Sequence, residues 1–134
     1  MIKLMLDTNI CIYIINEKPA KVLEKFKAYN FNEIAISSVV YSELVYGAYK
    51  SAKIDKNLSA LATFISPLEI IDFDESAANE YGVIRASLEK QGKLIGANDL
   101  LIAAHARSLD LPLVTNNIQE FSRVDDLIIL DWIS

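Results

Sequence analysis

An α/β fold with a central, mostly parallel sheet of four to five strands flanked by helices is what this sequence predicts, on three observations. Short β-branched runs alternate with longer stretches of helical periodicity. Cap and turn residues fall at the junctions between them. A chain of 134 residues, 52% of them hydrophobic, is sized for one core, so a single domain over residues 1–134 is expected.

Ile2–Leu6 reads as the first strand. After Asp7, Thr8 and Asn9 the pattern turns helical to about Asn16, and again from Pro19, a residue suited to a first helical turn, to Tyr29. Ile34–Ser37 is the second strand, and Ser37 or Ser38 can cap a helix running to about Lys53. A further helix around Asn57–Phe64 leads through Pro67 to a third strand, Leu68–Ile71. Asp72 or Asp74 caps the longest helix, which Gly92 stops after about Gln91. Asn98 is expected to cap the next helix, Asp99–Leu109, before strand four at Leu113–Thr115 and a short fifth strand at Ile128–Leu130. Repeated β-then-α order implies right-handed crossovers, and in such sheets ligand sites form beyond the carboxyl ends of the strands.

No apolar run reaches the roughly 18 residues of a membrane span, and Asp7 interrupts the N-terminal hydrophobic stretch where a signal peptide would need continuity. A soluble, cytoplasmic protein without a membrane partner is the expectation. The lone Cys11 has no disulfide or zinc partner and reads as a small core hydrophobe. The net charge of −5 by itself argues against nucleic acid, whose phosphates attract Lys and Arg. Its distribution does not. Between Glu17 and Lys56 seven lysines (18, 21, 25, 27, 50, 53 and 56) face five acids, whereas Asn57–Ser134 holds five basic residues against twelve acids. Lys50, Lys53, Lys56 and Arg85 are candidates for steering a polyanion, against the plainer reading of solvated helix faces.

The topology places Asp7, Glu43, Asp99 and Asn117 near one sheet edge. The helical neighbours of Glu43 are Val39, Val40, Tyr46 and Gly47, so its face is expected to be buried with no cation at helical reach. Asp99 shares a face with Ile102, Ala103 and Ala106. Each acid has a structural alternative: Asp7 can shape a turn, and Asp99 suits the positive end of a helix. Together they imply more. Three carboxylates about 5 Å apart repel by roughly 3 kcal/mol per pair at an effective dielectric near 20, and a divalent cation resolves this. Oxygen-only donors favour Mg²⁺, or Mn²⁺, over Zn²⁺. His105 lies on a different helical face from Asp99 and is expected to be at the surface or hydrogen-bonded within the fold. No Ser–His–Asp set, phosphate loop or dinucleotide fingerprint appears.

The stretches MLDTNICIYII, SSVVYSELVYGA and IGANDLLIAAHARSLDLPLVTNNIQEFSRV, with the closing DW, resemble VapC-type toxins of the PIN-domain family over essentially the whole chain. The resemblance implies a PIN fold and a Mg²⁺-dependent endoribonuclease with acidic positions at Asp7, Glu43 and Asp99. It also implies a cognate VapB-type antitoxin, a homodimer and, from the enteric-like group, initiator tRNA cut in the anticodon stem-loop. A fourth position that is often Asp in PIN domains is Asn117 here, which adds no charge and would be a supporting metal ligand. The rival readings are another Mg²⁺-dependent phosphoryl-transfer enzyme and a non-catalytic PIN-like module that binds RNA or protein. DTN lacks the second acid a phosphatase of that kind uses, and retention of all three acids weighs against the module.

Overall fold

The computed structural model describes all 134 residues, and its organisation follows from a fully parallel sheet. The strands are β1 (Leu4–Leu6), β2 (Ile34–Ser37), β3 (Glu69–Ile71), β4 (Leu113–Val114) and β5 (Ile129–Leu130), in the spatial order β3-β2-β1-β4-β5. Strands β1, β2 and β4 are buried at every residue, as strands covered on both faces must be. The edge strands β3 and β5 are only partly covered.

Between β1 and β2 run α1 (Thr8–Ile15) and α2 (Ala20–Lys27), and between β2 and β3 run α3 (Ser38–Lys50) and α4 (Ile54–Ile65). The chain then returns across the sheet through α5 (Glu75–Lys90) and α6 (Ala97–Ser108) to β4, and α7 (Ile118–Phe121) precedes β5. Right-handed crossovers put α1 to α4 on one face and the α5–α6 pair on the other. The contacts agree: α1, α2, α3 and α4 pack among themselves, α5 packs along α6, and α3 meets α6 at the sheet end. One core cluster of 26 buried residues spans both faces, with Cys11 in it as expected.

Several boundaries differ from the sequence reading, each for a physical reason. The first strand starts at Leu4 rather than Ile2, because only there does the neighbouring ladder of β2 and β4 begin. The fourth helix begins at Ile54, three residues before Asn57, with Asp55 favourably placed in its first turn. Ser37, not Ser38, caps α3: its hydroxyl accepts from the Val39 N–H at 3.0 Å, while Ser38 Oγ accepts the Phe73 N–H at 3.0 Å. Asp74 caps α5 through the Ala77 N–H, and Gly92, at φ 68°, ends it in the left-handed conformation expected. Asn98 does not cap α6. That position is Gly96, without a side-chain bond, and Asn98 lies inside the helix. The short α7 and a 3₁₀ turn at Phe31–Glu33 were not anticipated from the sequence.

Candidate functional site

The strand order reverses between β1 and β4, and that is where the polar residues gather. Register pairs Met5 with Leu113 and Leu6 with Val114, so the next residues, Asp7 and Thr115, face each other beyond the carboxyl ends of both strands. Asp7 is buried, 4% exposed. Its Oδ1 accepts the Thr8 N–H at 2.7 Å, capping α1, and its Oδ2 accepts the Thr115 hydroxyl at 2.7 Å. Burial raises its pKa, and the bonds from Thr115 and Thr8 pull the other way. Each oxygen keeps one lone pair for a further partner. The turn-forming and functional readings of Asp7 are therefore compatible.

Glu43 reaches the same place from α3. The Thr8 hydroxyl donates to Glu43 Oε1 at 3.2 Å, so Thr8 ties Asp7 by its backbone and Glu43 by its side chain. The expectation that this whole helical face is buried fails: Val40 is buried, but Tyr46 is 65% exposed and Glu43 half-buried. Tyr46 and Gly47 line openings beside Glu43, whereas Val40 on the same face packs into the core.

Asp99 enters from the first turn of α6, half-buried, with Leu100, Ile102 and Ala103 packed beneath it. Its pKa is pushed up to about 7, first by burial, then by a hydrogen bond shared with Glu120 and by the charges of Asp7, Glu120 and Glu43. Asp7, Glu120 and Glu43 are thus close enough to disfavour the ionised form of Asp99. Glu120 was missed in the sequence because α7 is too short to show a helical period. The fourth carboxylate is there all the same, three residues after the nominated Asn117. The Asn117 amide donates to the Glu120 carboxylate, and its backbone N–H donates to Thr115 Oγ1 at 3.0 Å. Bonds from Asn117, Asp99 and the Gly96 backbone hold Glu120 below the usual carboxylate range.

Asp7, Glu43, Asp99 and Glu120 therefore share one acidic pocket, but no three are drawn into a closed ligand cage. The donor set nonetheless fits a hard cation: every donor is an oxygen, and each Asp7 oxygen keeps a lone pair beyond its bonds to Thr8 and Thr115.

His105 is not at the surface. It is 1% exposed, its Nδ1 lies 2.7 Å from Ser37 Oγ, its ring meets Phe73 edge-on, and its Nε2 has no partner. Because Ser37 caps α3 and His105 belongs to α6, this bond ties the Glu43-bearing helix to the Asp99-bearing helix. Arg85 is engaged within α5, by Glu89 at 2.7 Å and the Tyr81 hydroxyl at 2.7 Å. Lys50, Lys53 and Lys56 are exposed and form no ion pair. Of the N-terminal apolar residues, Ile10 and Ile14 belong to the core, and the Tyr13 hydroxyl accepts from the Asn116 amide at 3.1 Å.

Comparison with known proteins decides the family. The PIN domain profile matches residues 4–127, and the chain is 48% identical over 132 residues to the tRNA(fMet)-specific endonuclease VapC of Shigella flexneri, covering 98% of this chain and 99% of that one. The chain is a PIN domain of the VapC family. Ribonuclease VapC2 of Haemophilus influenzae is 47% identical, with 99% of this chain and 100% of that one covered. Among solved structures, the PIN domain superposes on VapBC2 of Rickettsia felis bound to a promoter DNA fragment at a TM-score of 0.91 and 49% identity. It superposes on DNA-bound VapBC of Salmonella typhimurium at 0.93 and 45%. Both matches cover 98% of this chain and 99% of the other. The PIN fold places the acidic pocket at its switch point, and no helix of the chain is long and apolar enough to cross a membrane.

Proposed function

We propose that this chain is the toxin of a VapBC-type pair, a Mg²⁺-dependent endoribonuclease that cuts initiator tRNA in its anticodon stem-loop and is restrained by a VapB-type antitoxin. The observation that carries the reading is the meeting of carboxylates beyond the carboxyl ends of β1 and β4, where Thr8 bonds both Asp7 and Glu43 and where Asp7, Glu43 and Glu120 together raise the pKa of Asp99. Such a cluster is costly to assemble for structure alone. Relatives named as VapC endonucleases, one specific for tRNA(fMet), agree with it.

In this reading Asp7 and Asp99 would hold the cation, with Glu43 as a further ligand or as the base that orients water. When bound, Mg²⁺ or Mn²⁺ supplies positive charge to the non-bridging phosphate oxygens as they gain charge in the transition state. Thr115 and the Thr8 N–H fix the Asp7 carboxylate so that it needs no reorganisation, and the Thr8 hydroxyl fixes Glu43. Asn117 acts through Glu120, by aiming it toward Asp99. Hydrolysis leaves a 5′-phosphate and a 3′-hydroxyl. Lys50, Lys53 and Lys56 draw the RNA backbone toward the otherwise acidic surface.

The antitoxin reading rests on a groove of about 230 Å³ between α1, α3 and α4, with Ile12, Ile15, Leu44 and Leu61 along it and Glu43 at its margin. An amphipathic partner helix suits such a groove, and a basic residue carried on it would meet the acidic pocket. Incubating the purified protein with bulk tRNA and Mg²⁺ and mapping new 5′ ends tests the substrate. One cut within the initiator anticodon stem-loop is expected. Cuts scattered over all tRNAs would refute that specificity, and intact tRNA would refute the activity.

A further inference from the structure

A second recognition feature lies beside the acidic pocket. Tyr46 follows Glu43 by one turn of α3, and both line an open cleft of about 480 Å³ with Asn9, Ser42 and Asn98. At 65% exposure the Tyr46 ring contributes little to the core. One turn further on, the Lys50 ammonium stands over one face of the ring, 5.7 Å from its centroid, and has no acidic partner, so a stacked group would take the opposite face. Asn9 and Asn98 are exposed, and each amide offers a donor and an acceptor. Asn98 is the residue expected to cap α6; it does not, so its side chain is free for another use.

From this arrangement we propose that Tyr46 is a stacking platform for one unpaired nucleobase next to the scissile phosphate, with Asn9 and Asn98 hydrogen-bonding its edge and Lys50 meeting an adjoining phosphate. The inference rests on the ribonuclease reading of the neighbouring carboxylates and specifies what form of RNA they receive. An aromatic face next to an unpaired cation is the combination by which single strands are held, since every base has a π-face and every nucleotide a charge. Bases in an A-form helix have both faces stacked, so a platform of this kind selects loops and splayed nucleotides over duplex. The amides add discrimination among bases, because a mismatched edge leaves a donor or acceptor unpaired.

The test uses a short RNA hairpin with 2-aminopurine at the nucleotide flanking the cut, bound in EDTA so that no cleavage occurs. Wild-type protein is expected to quench the probe by stacking. Tyr46→Ala is expected to abolish the quenching and weaken binding at least about 5-fold, the lower end for one aromatic–base stack, whereas Tyr46→Phe retains both. Because the ring is largely exposed, Tyr46→Ala should melt within a degree or two of wild type, which separates lost recognition from lost fold. A Tyr46→Ala protein that binds and quenches like wild type overturns the inference, as does equal binding of hairpin and fully paired RNA. Wild type that cleaves the hairpin with Mg²⁺ in either of those cases leaves the ribonuclease reading standing. Wild type that neither binds nor cleaves RNA overturns both.

Discussion

Replacing Asp99 by Asn removes one charge from the acidic pocket while keeping the side chain's shape, and without metal it should stabilise the fold. Moving a carboxyl from 3.8 to about 7 disfavours its ionised form by roughly 4 kcal/mol. Asp99 is only half-buried, so solvent screening reduces this to about 2 kcal/mol. Losing a negative charge from the first turn of α6 returns about 0.3 to 1 kcal/mol. The net gain of about 1 to 1.7 kcal/mol corresponds to a melting temperature roughly 3 to 7 °C higher. The sign depends on pH. The folded pKa is raised, so the wild type loses stability as pH climbs from 3.8 through about 7. The advantage of Asp99→Asn should thus be absent at pH 4 and complete above pH 7. Millimolar Mg²⁺ should reverse the order, since an ion at 100 times its Kd adds about 2.7 kcal/mol to the protein that binds it. Scanning calorimetry in EDTA at pH 4 and 8, then with Mg²⁺, reads all three. A variant no more stable than wild type at pH 8 in EDTA, or equally stabilised at pH 4, would refute the shared acidic site.

Other perturbations probe different parts of the account. Asp7→Asn and Glu43→Gln should each lower cleavage of tRNA at least about 100-fold with circular dichroism unchanged; activity near wild type in either would remove that residue from the chemistry. Thr115→Val deletes the hydroxyl that lowers the Asp7 pKa, so it should cost about 1 to 3 kcal/mol and move the acidic limb of the pH–rate profile upward. A limb that stays in place would show that Asp7 ionisation does not govern the rate. Burial depresses the pKa of His105 below 6.5, against the pull of Asp74 and Asp72, so its contribution to stability is present above pH 6.5 and lost in acid. The stability difference between wild type and His105→Gln should accordingly shrink between pH 7 and 5. Affinity purification from native cells should recover a small VapB-like protein, whereas recovery of the free chain alone, with normal growth on its overproduction, would count against a toxin.

Much of this architecture was legible because its signals are local. Ile34–Ser37 occupies its predicted span as β2, and Gly92 ends α5 in the left-handed backbone that a residue without a Cβ adopts at least cost. Asp7 was readable as an acid at a strand end. Signals that depend on tertiary context were misread or absent. Tyr46 and Gly47 indicate chemistry and size rather than burial, so the face of Glu43 looked like core throughout when both residues line openings there. His105 takes the second of its two expected places, hydrogen-bonded within the fold, but helical angle could not choose between them, because α6 is enclosed by the sheet, α5 and α3, with Ala103, Ala104 and Ala106 all fully covered. Asn98 has the stronger capping preference, but the chain enters α6 two residues too early for that preference to act. Glu120 sits in a four-residue helix, below the length at which periodicity can be read, and only the fold brings it to Asp99.

The central claim is that Asp7, Glu43 and Asp99 together hold the divalent cation that RNA cleavage requires. The most direct measurement is single-turnover cleavage of initiator tRNA as Mg²⁺ is titrated into metal-stripped protein, for wild type and Asp99→Asn. No cleavage is expected in EDTA, with saturable recovery by Mg²⁺ or Mn²⁺ in the wild type and no recovery in Asp99→Asn at any concentration. Cleavage at the same rate in EDTA, or full recovery by Asp99→Asn, would contradict that claim.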